Sequence, residues 1–133
     1  ELRHMEDVKV VTRTAYLVLF GLGIIAVLLM IATLRFRSYL TDLRMGLFNG
    51  GLLTLGIIGS IIVVAIMAWD TFFTLFHEIF FESGTWRFSY SDTLIRLFPE
   101  QLWFDAAIVI GVLTVVSATC IVMLMWQWGK KAN

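Results

Sequence analysis

Lysine, arginine, aspartate and glutamate are missing from three long stretches of this sequence: residues 14–34, 45–69 and 106–129, which are 21, 25 and 24 residues long. A hydrocarbon core about 30 Å thick takes about 20 residues of apolar helix to cross, so each stretch is long enough to span. A soluble helix of that length would turn one polar face to water, and none of these carries one. They also lack proline, which favours unbroken helices that satisfy their own backbone hydrogen bonds. The bulk numbers agree, with 59% hydrophobic residues and 15% charged, where soluble domains average about 25% charged. The expected fold class is all-α: a transmembrane helical bundle with spans at about 14–34, 45–69 and 106–128. Residues 70–105 form an outer, interfacial helix-loop segment.

Three crossings put residues 1–13 and 70–105 on one side of the membrane, and the turn 35–44 and the tail after Gly129 on the other. The turn and tail hold Arg35, Arg37, Arg44, Lys130 and Lys131, five basic residues in 14 positions. The opposite face has five in 49, together with nine of the ten acids. Basic residues in short flanks set orientation, so the turn and tail are expected on the cytoplasmic side, with Arg3, Lys9 and Arg13 dissenting. A chain whose start lies outside has already crossed once. The sequence also opens at Glu1 with no initiator methionine. It therefore reads as a single transmembrane helical domain, residues 1–133, belonging to a longer protein with four spans. Trp69, Trp103, Trp126 and Trp128 fall at span ends, where indole rings favour the interface. Gly46, Gly50, Gly56, Gly59 and Ser60 recur at three- and four-residue spacing along the second span and predict close helix packing there.

The outer segment is the informative one. Residues 70–82 place Phe73, Phe76, His77, Phe80 and Phe81 on one face of an aromatic-rich helix, which either extends the second span or lies in the interface. Ser83-Gly84 ends it. Trp86 and Phe88 then alternate with polar residues toward Tyr90, Ser91 and Asp92. A short apolar helix at 93–98 follows with Asp92 as its N-cap, and Pro99-Glu100 restarts the chain into the third span.

The formal net charge of zero gives no electrostatic case for a nucleic-acid partner. The lone Cys120 excludes an intrachain disulfide. No Gly-x-Ser-x-Gly is present, Ser60 lies deep in a span, and Thr114, Ser117 and Thr119 read as intrahelical hydrogen-bonders rather than nucleophiles. No charge sits at mid-bilayer, which argues against an ion-coupled transporter. Without a His-x-x-x-His or a cysteine pair, a metal centre is not expected either. That leaves two histidines, His4 and His77, both on the outer face. His4 has Asp7 one helical turn away; His77 has Glu78 beside it and Asp70 two turns back. Histidine titrates near neutral pH and is the usual general base, yet an interfacial histidine equally serves as an anchor or a packing residue. Arg87, Arg96, Asp92 and Glu100 on the same face are ordinary headgroup-contacting residues. An arginine beside a histidine could also stabilise an oxyanion or hold a lipid phosphate.

The strings Phe76-His77-Glu78-Ile79-Phe80-Phe81, Trp86-Arg87-Phe88 and Asp92-Thr93-Leu94-Ile95-Arg96-Leu97-Phe98-Pro99-Glu100 closely resemble the bacterial lipoprotein intramolecular transacylases. The opening His4-Met5-Glu6-Asp7-Val8-Lys9 resembles the start of that family's second transmembrane helix. The resemblance runs along essentially the whole sequence in motif order and spacing. It implies a membrane acyltransferase that moves the sn-2 acyl chain of a diacylglyceryl-cysteine lipoprotein to that cysteine's own α-amine, leaving the lyso-form. The family's two catalytic histidines match His77 and His4. Asp7, Glu78, Trp86, Asp92, Arg96, Phe73 and Phe80 are the supporting or substrate-binding candidates. The partners implied are the diacylglyceryl-modified lipoprotein N-terminus and membrane lipids, and no cofactor is called for. The location implied is the bacterial cytoplasmic membrane, with the active face outward. Two other readings stay open: acyl transfer from a separate phospholipid, and a non-catalytic membrane assembly module.

Overall fold

The computed structural model describes residues 1–132 and is all-helical: α1 spans Leu2–Arg35, α2 Leu40–Met67, α3 Trp69–Phe80, α4 Thr93–Leu97 and α5 Glu100–Ala132. Asn133, the end of the basic tail, lies outside the described residues. Among the described residues, three helices are long and apolar enough to cross a membrane. Each begins before the uncharged stretch that forecast it, and α1 and α5 also run past its end, because charges in the first or last turns of a spanning helix sit at headgroup level and do not break it. At a rise of about 1.5 Å per residue, α1 is about 50 Å long, more than the hydrocarbon core needs. Its charged opening, with His4, lies beyond the apolar stretch 14–34.

The boundaries correct several expectations. The ten-residue turn at 35–44 is far tighter: Phe36 and a single 3-10 turn, Arg37–Tyr39, reverse the chain, and α2 is already under way at Leu40. The second span ends at Met67. Ala68 adopts a non-helical conformation (φ −148°, ψ 58°), so Trp69 belongs to α3. The third spanning helix starts at Glu100, where Pro99-Glu100 leads the chain into the span as expected, and runs unbroken into the apolar stretch at 106.

α2 and α5 form the packed antiparallel pair. Gly51 faces Val122 and the Ala118 carbonyl, Gly111 faces Ile62, and the Arg44 side chain lies over Gly129. The close approach therefore uses Gly51 and Gly111. Around Gly46, Gly50, Gly56 and Gly59 a Cβ would meet nothing within 4 Å, so the glycine row that the spacing singled out is not at the contact. Ser60 and Thr114 donate their hydroxyls to the carbonyls of Gly56 and Ile110 at 2.9 and 2.8 Å, the intrahelical role that suits hydroxyls in an apolar helix.

A Cβ at Gly51 would lie 2.6 Å from Val122 Cγ2, so the Val122 side chain or the helix pair would have to shift, with the Ala118 oxygen already in contact at 3.4 Å. Overpacking of this kind costs about 1–3 kcal/mol. Gly51→Leu should lower the melting temperature of the solubilised protein by several degrees, while Gly50→Leu should leave it nearly unchanged. The opposite ranking would mean that α2 turns its other face to α5.

Candidate active site

Local sequence chemistry places the first histidine. α3 is strongly amphipathic, and Trp69, Phe73 and His77 follow one another at four-residue spacing along it. Their rings are in contact, Trp69 to Phe73 at 5.9 Å and Phe73 to His77 at 4.1 Å between centroids. α3 stops at Phe80, and Phe81 is extended. The chain then turns back through Glu82–Thr85, where both the Thr85 N–H and its hydroxyl bond the Glu82 carbonyl. Gly84, at φ +85°, takes the left-handed position of that turn. The turn lays the Trp86 ring on His77 at 4.8 Å.

His4 reaches the same pocket from the start of α1. Its ring centroid is 6.0 Å from that of His77, 4.7 Å from Phe81 and 5.5 Å from Phe88. Two polar links hold α1 to the outer segment there: Arg3 pairs with Glu82, and the Leu94 N–H donates to Glu1 Oε1 at 2.9 Å. The two histidines, 73 positions apart in sequence, thus share one aromatic box of Phe73, Phe81, Trp86 and Phe88.

The hydrogen bonding fixes the tautomer of His77. Its Nδ1 lies 2.7 Å from the Phe73 carbonyl oxygen. A carbonyl only accepts, so Nδ1 carries the proton and Nε2 presents its lone pair. Burial pushes the His77 pKa below its ordinary 6.5, the Phe73 carbonyl opposing in part. His4, only 7% exposed, is also pushed down, first by burial and then by the charge His77 would carry, while Asp7 works the other way. Both rings are therefore neutral at neutral pH, and simultaneous protonation is disfavoured. His4 Nδ1 and the indole Nε1 of Trp86 are buried with no hydrogen-bond partner among the described residues.

The remaining candidates divide. Phe73 and Trp86 touch His77 directly. Asp7, half-buried, influences His4 through its charge, and among the described residues no hydrogen bond joins the two. Asp92 occupies the N-cap position of α4, but its side chain makes no capping bond; Oδ2 accepts the Ser89 N–H at 2.8 Å and closes the loop, and Glu1 takes the free α4 amide instead. Glu78, Asp70 and Arg96 are exposed, and among the described residues none of them hydrogen-bonds to either histidine. Phe80 lies against α1 across an open apolar groove of about 490 Å³, lined by Val10, Val11, Val18, Leu19 and Leu22. Arg87, read from sequence as a headgroup contact, places its guanidinium 4.9 Å from the Trp86 ring centre. Among the described residues no three His, Cys, Asp or Glu side chains gather as they would around a metal ion.

Sequence reasoning gave Phe88 no role, although its two-residue spacing from Trp86 puts both rings on one side of an extended segment. The Arg3–Glu82 and Glu1–Leu94 links had no local signal at all.

Comparison with known proteins adds to this geometry. The family model described as lipoprotein intramolecular transacylase Lit matches residues 1–103. A protein of Aquifex aeolicus (strain VF5), described as uncharacterized, is 32% identical over 117 residues, covering 86% of this chain and 49% of its own length. The chain thus spans about half of that relative. No solved structure matches. The matched region contains both histidines, the aromatic box and the outer segment that joins them, and on that match the chain belongs to the lipoprotein intramolecular transacylase family.

Proposed function

We propose that this chain carries the catalytic centre of an enzyme that moves the sn-2 acyl group of a diacylglyceryl-cysteine lipoprotein onto that cysteine's α-amino nitrogen. The observation that carries the reading is the pair of histidines, His4 buried and His77 half-buried, in one aromatic box at the outer end of the helices, with Nε2 of His77 free to accept a proton. Ester-to-amide transfer needs a neutral amine, and His77 Nε2 is suited to take the proton from the ammonium. No enzyme nucleophile is needed. Both reactants belong to one molecule, and holding them in a near-attack geometry supplies much of the rate. His4 polarises the ester carbonyl or relays the proton. The acyl chain lies along the α1 groove against Phe80, an apolar surface continuous with the bilayer. By the basic turn and tail, the histidine end faces outward from the cytoplasmic membrane.

Acyl counting separates this reading from its rivals. Intramolecular transfer leaves the lipoprotein with two acyl chains, one on nitrogen and none at sn-2. Donation from a phospholipid adds a third chain. A non-catalytic module changes nothing. Mass spectrometry of lipoprotein N-termini from cells with and without the full-length protein should show the lyso-form, at conserved acyl number, only in its presence. A triacylated product or an unchanged diacyl form would replace this reading with one of the other two.

A further inference from the structure

The indole of Trp86 is buried to 8% exposure on the face of His77, and among the described residues its Nε1–H has no partner. An unpaired buried N–H is costly, about 1–3 kcal/mol, so native proteins seldom retain one without a use. Its chemistry is restrictive: an indole N–H only donates, so its partner must bring a lone pair; an ammonium has none, whereas the ester carbonyl oxygen does. The Arg87 guanidinium, 4.9 Å from the ring centre, makes the surroundings of the indole electropositive.

We propose that the Trp86 Nε1–H holds the oxygen of the reacting ester carbonyl and stabilises it as an oxyanion. The inference rests on the transacylase reading and assigns Trp86 a role in the reaction beyond stacking. In the step concerned, the amine nitrogen, deprotonated by His77, forms a bond to the sn-2 ester carbon while the C=O π pair moves onto oxygen. The oxyanion forms beside the indole donor. When it collapses, the C=O bond is restored, the carbon–oxygen bond to the glycerol breaks, the proton held on His77 passes to the departing glycerol oxygen, and the nitrogen sheds its remaining excess proton to solvent. The products are an amide and a free sn-2 hydroxyl, with no co-reactant consumed. A donor fixed by burial and stacking needs no reorganisation as charge develops, which is where such donors act most strongly.

The test uses the full-length protein in lipid nanodiscs with a synthetic diacylated lipopeptide, scoring the lyso product by mass spectrometry per folded molecule. Trp86→Phe keeps an aromatic ring on His77 and removes the N–H. It should lower kcat about 10²–10³-fold, with KM within a few-fold and the acid limb of the pH profile unmoved. Trp69→Phe removes the other indole whose nitrogen is buried without a partner, one away from His77, and should leave kcat unchanged. If Trp86→Phe fails to fold, benzothienylalanine at position 86 keeps the bicyclic shape without the N–H and should show the same loss. Activity within twofold of wild type in Trp86→Phe or the benzothienyl variant overturns the assignment, as does an equal loss in Trp69→Phe. A wild-type protein that forms no lyso product refutes instead the transacylase reading on which the assignment rests.

Discussion

His77→Gln should be as inactive as His77→Ala, losing about 10²–10⁴-fold in the rate of lyso-form production, the range a positioned general base contributes. The comparison discriminates because of the Phe73 bond. Glutamine can donate its amide N–H to the Phe73 carbonyl, as His77 Nδ1 does at 2.7 Å, so the end of α3 and the aromatic box should persist. What glutamine lacks is a lone pair basic enough to take a proton near neutral pH, which Nε2 of the Nδ1-protonated imidazole has. Thermal melting of the purified variants should stay close to wild type, so that activity is compared at equal folded protein. If glutamine restores most of the rate, His77 orients the substrate and His4 becomes the base. Full activity in both His77→Ala and His4→Ala would remove the histidine mechanism.

The spans were legible because the bilayer imposes a minimum length of uncharged sequence, and 14–34, 45–69 and 106–129 each exceed it. Their exact ends were not, because a helix that has left the hydrocarbon can continue through Arg13 or Asp105 at little cost. The glycine row shows a different limit. Gly46, Gly50, Gly56 and Gly59 mark a smooth face by their spacing, but the rotation of α2 about its axis is set by how its whole surface fits α5. Gly51, about 100° around the helix from Gly50, is the one that fits. At the site, His4 and His77 stood out by scarcity and by the order of the motifs around them. Asp92 was placed correctly at the start of α4, but the partner of its carboxylate was decided by a loop that brought Ser89 within reach. The links Arg3–Glu82 and Glu1–Leu94 join residues 79 and 93 positions apart, so local patterning carries no trace of them.

The pH dependence assigns the two histidines independently of the glutamine test. Burial holds both below 6.5, so the base form of the pair persists further into the acid range than a free imidazole's would. For a base the sign is direct: the neutral form acts, it predominates above the pKa, and activity falls tenfold per unit once the pH drops well below it. The acid limb of lyso-form production should therefore break below 6.5. Desolvation is the largest cause for both; for His4 a charge on His77 lowers it further while Asp7 raises it, and for His77 the Phe73 carbonyl raises it without offsetting burial. His4→Ala should cost about 10²-fold or more in rate, in line with loss of a proton-relay or carbonyl-polarising group, yet retain the acid limb, since His77 still titrates. In His77→Gln the small residual rate should lose that limb. An acid limb that vanishes with His4 and survives without His77 would exchange the two roles, even if both variants were equally slow.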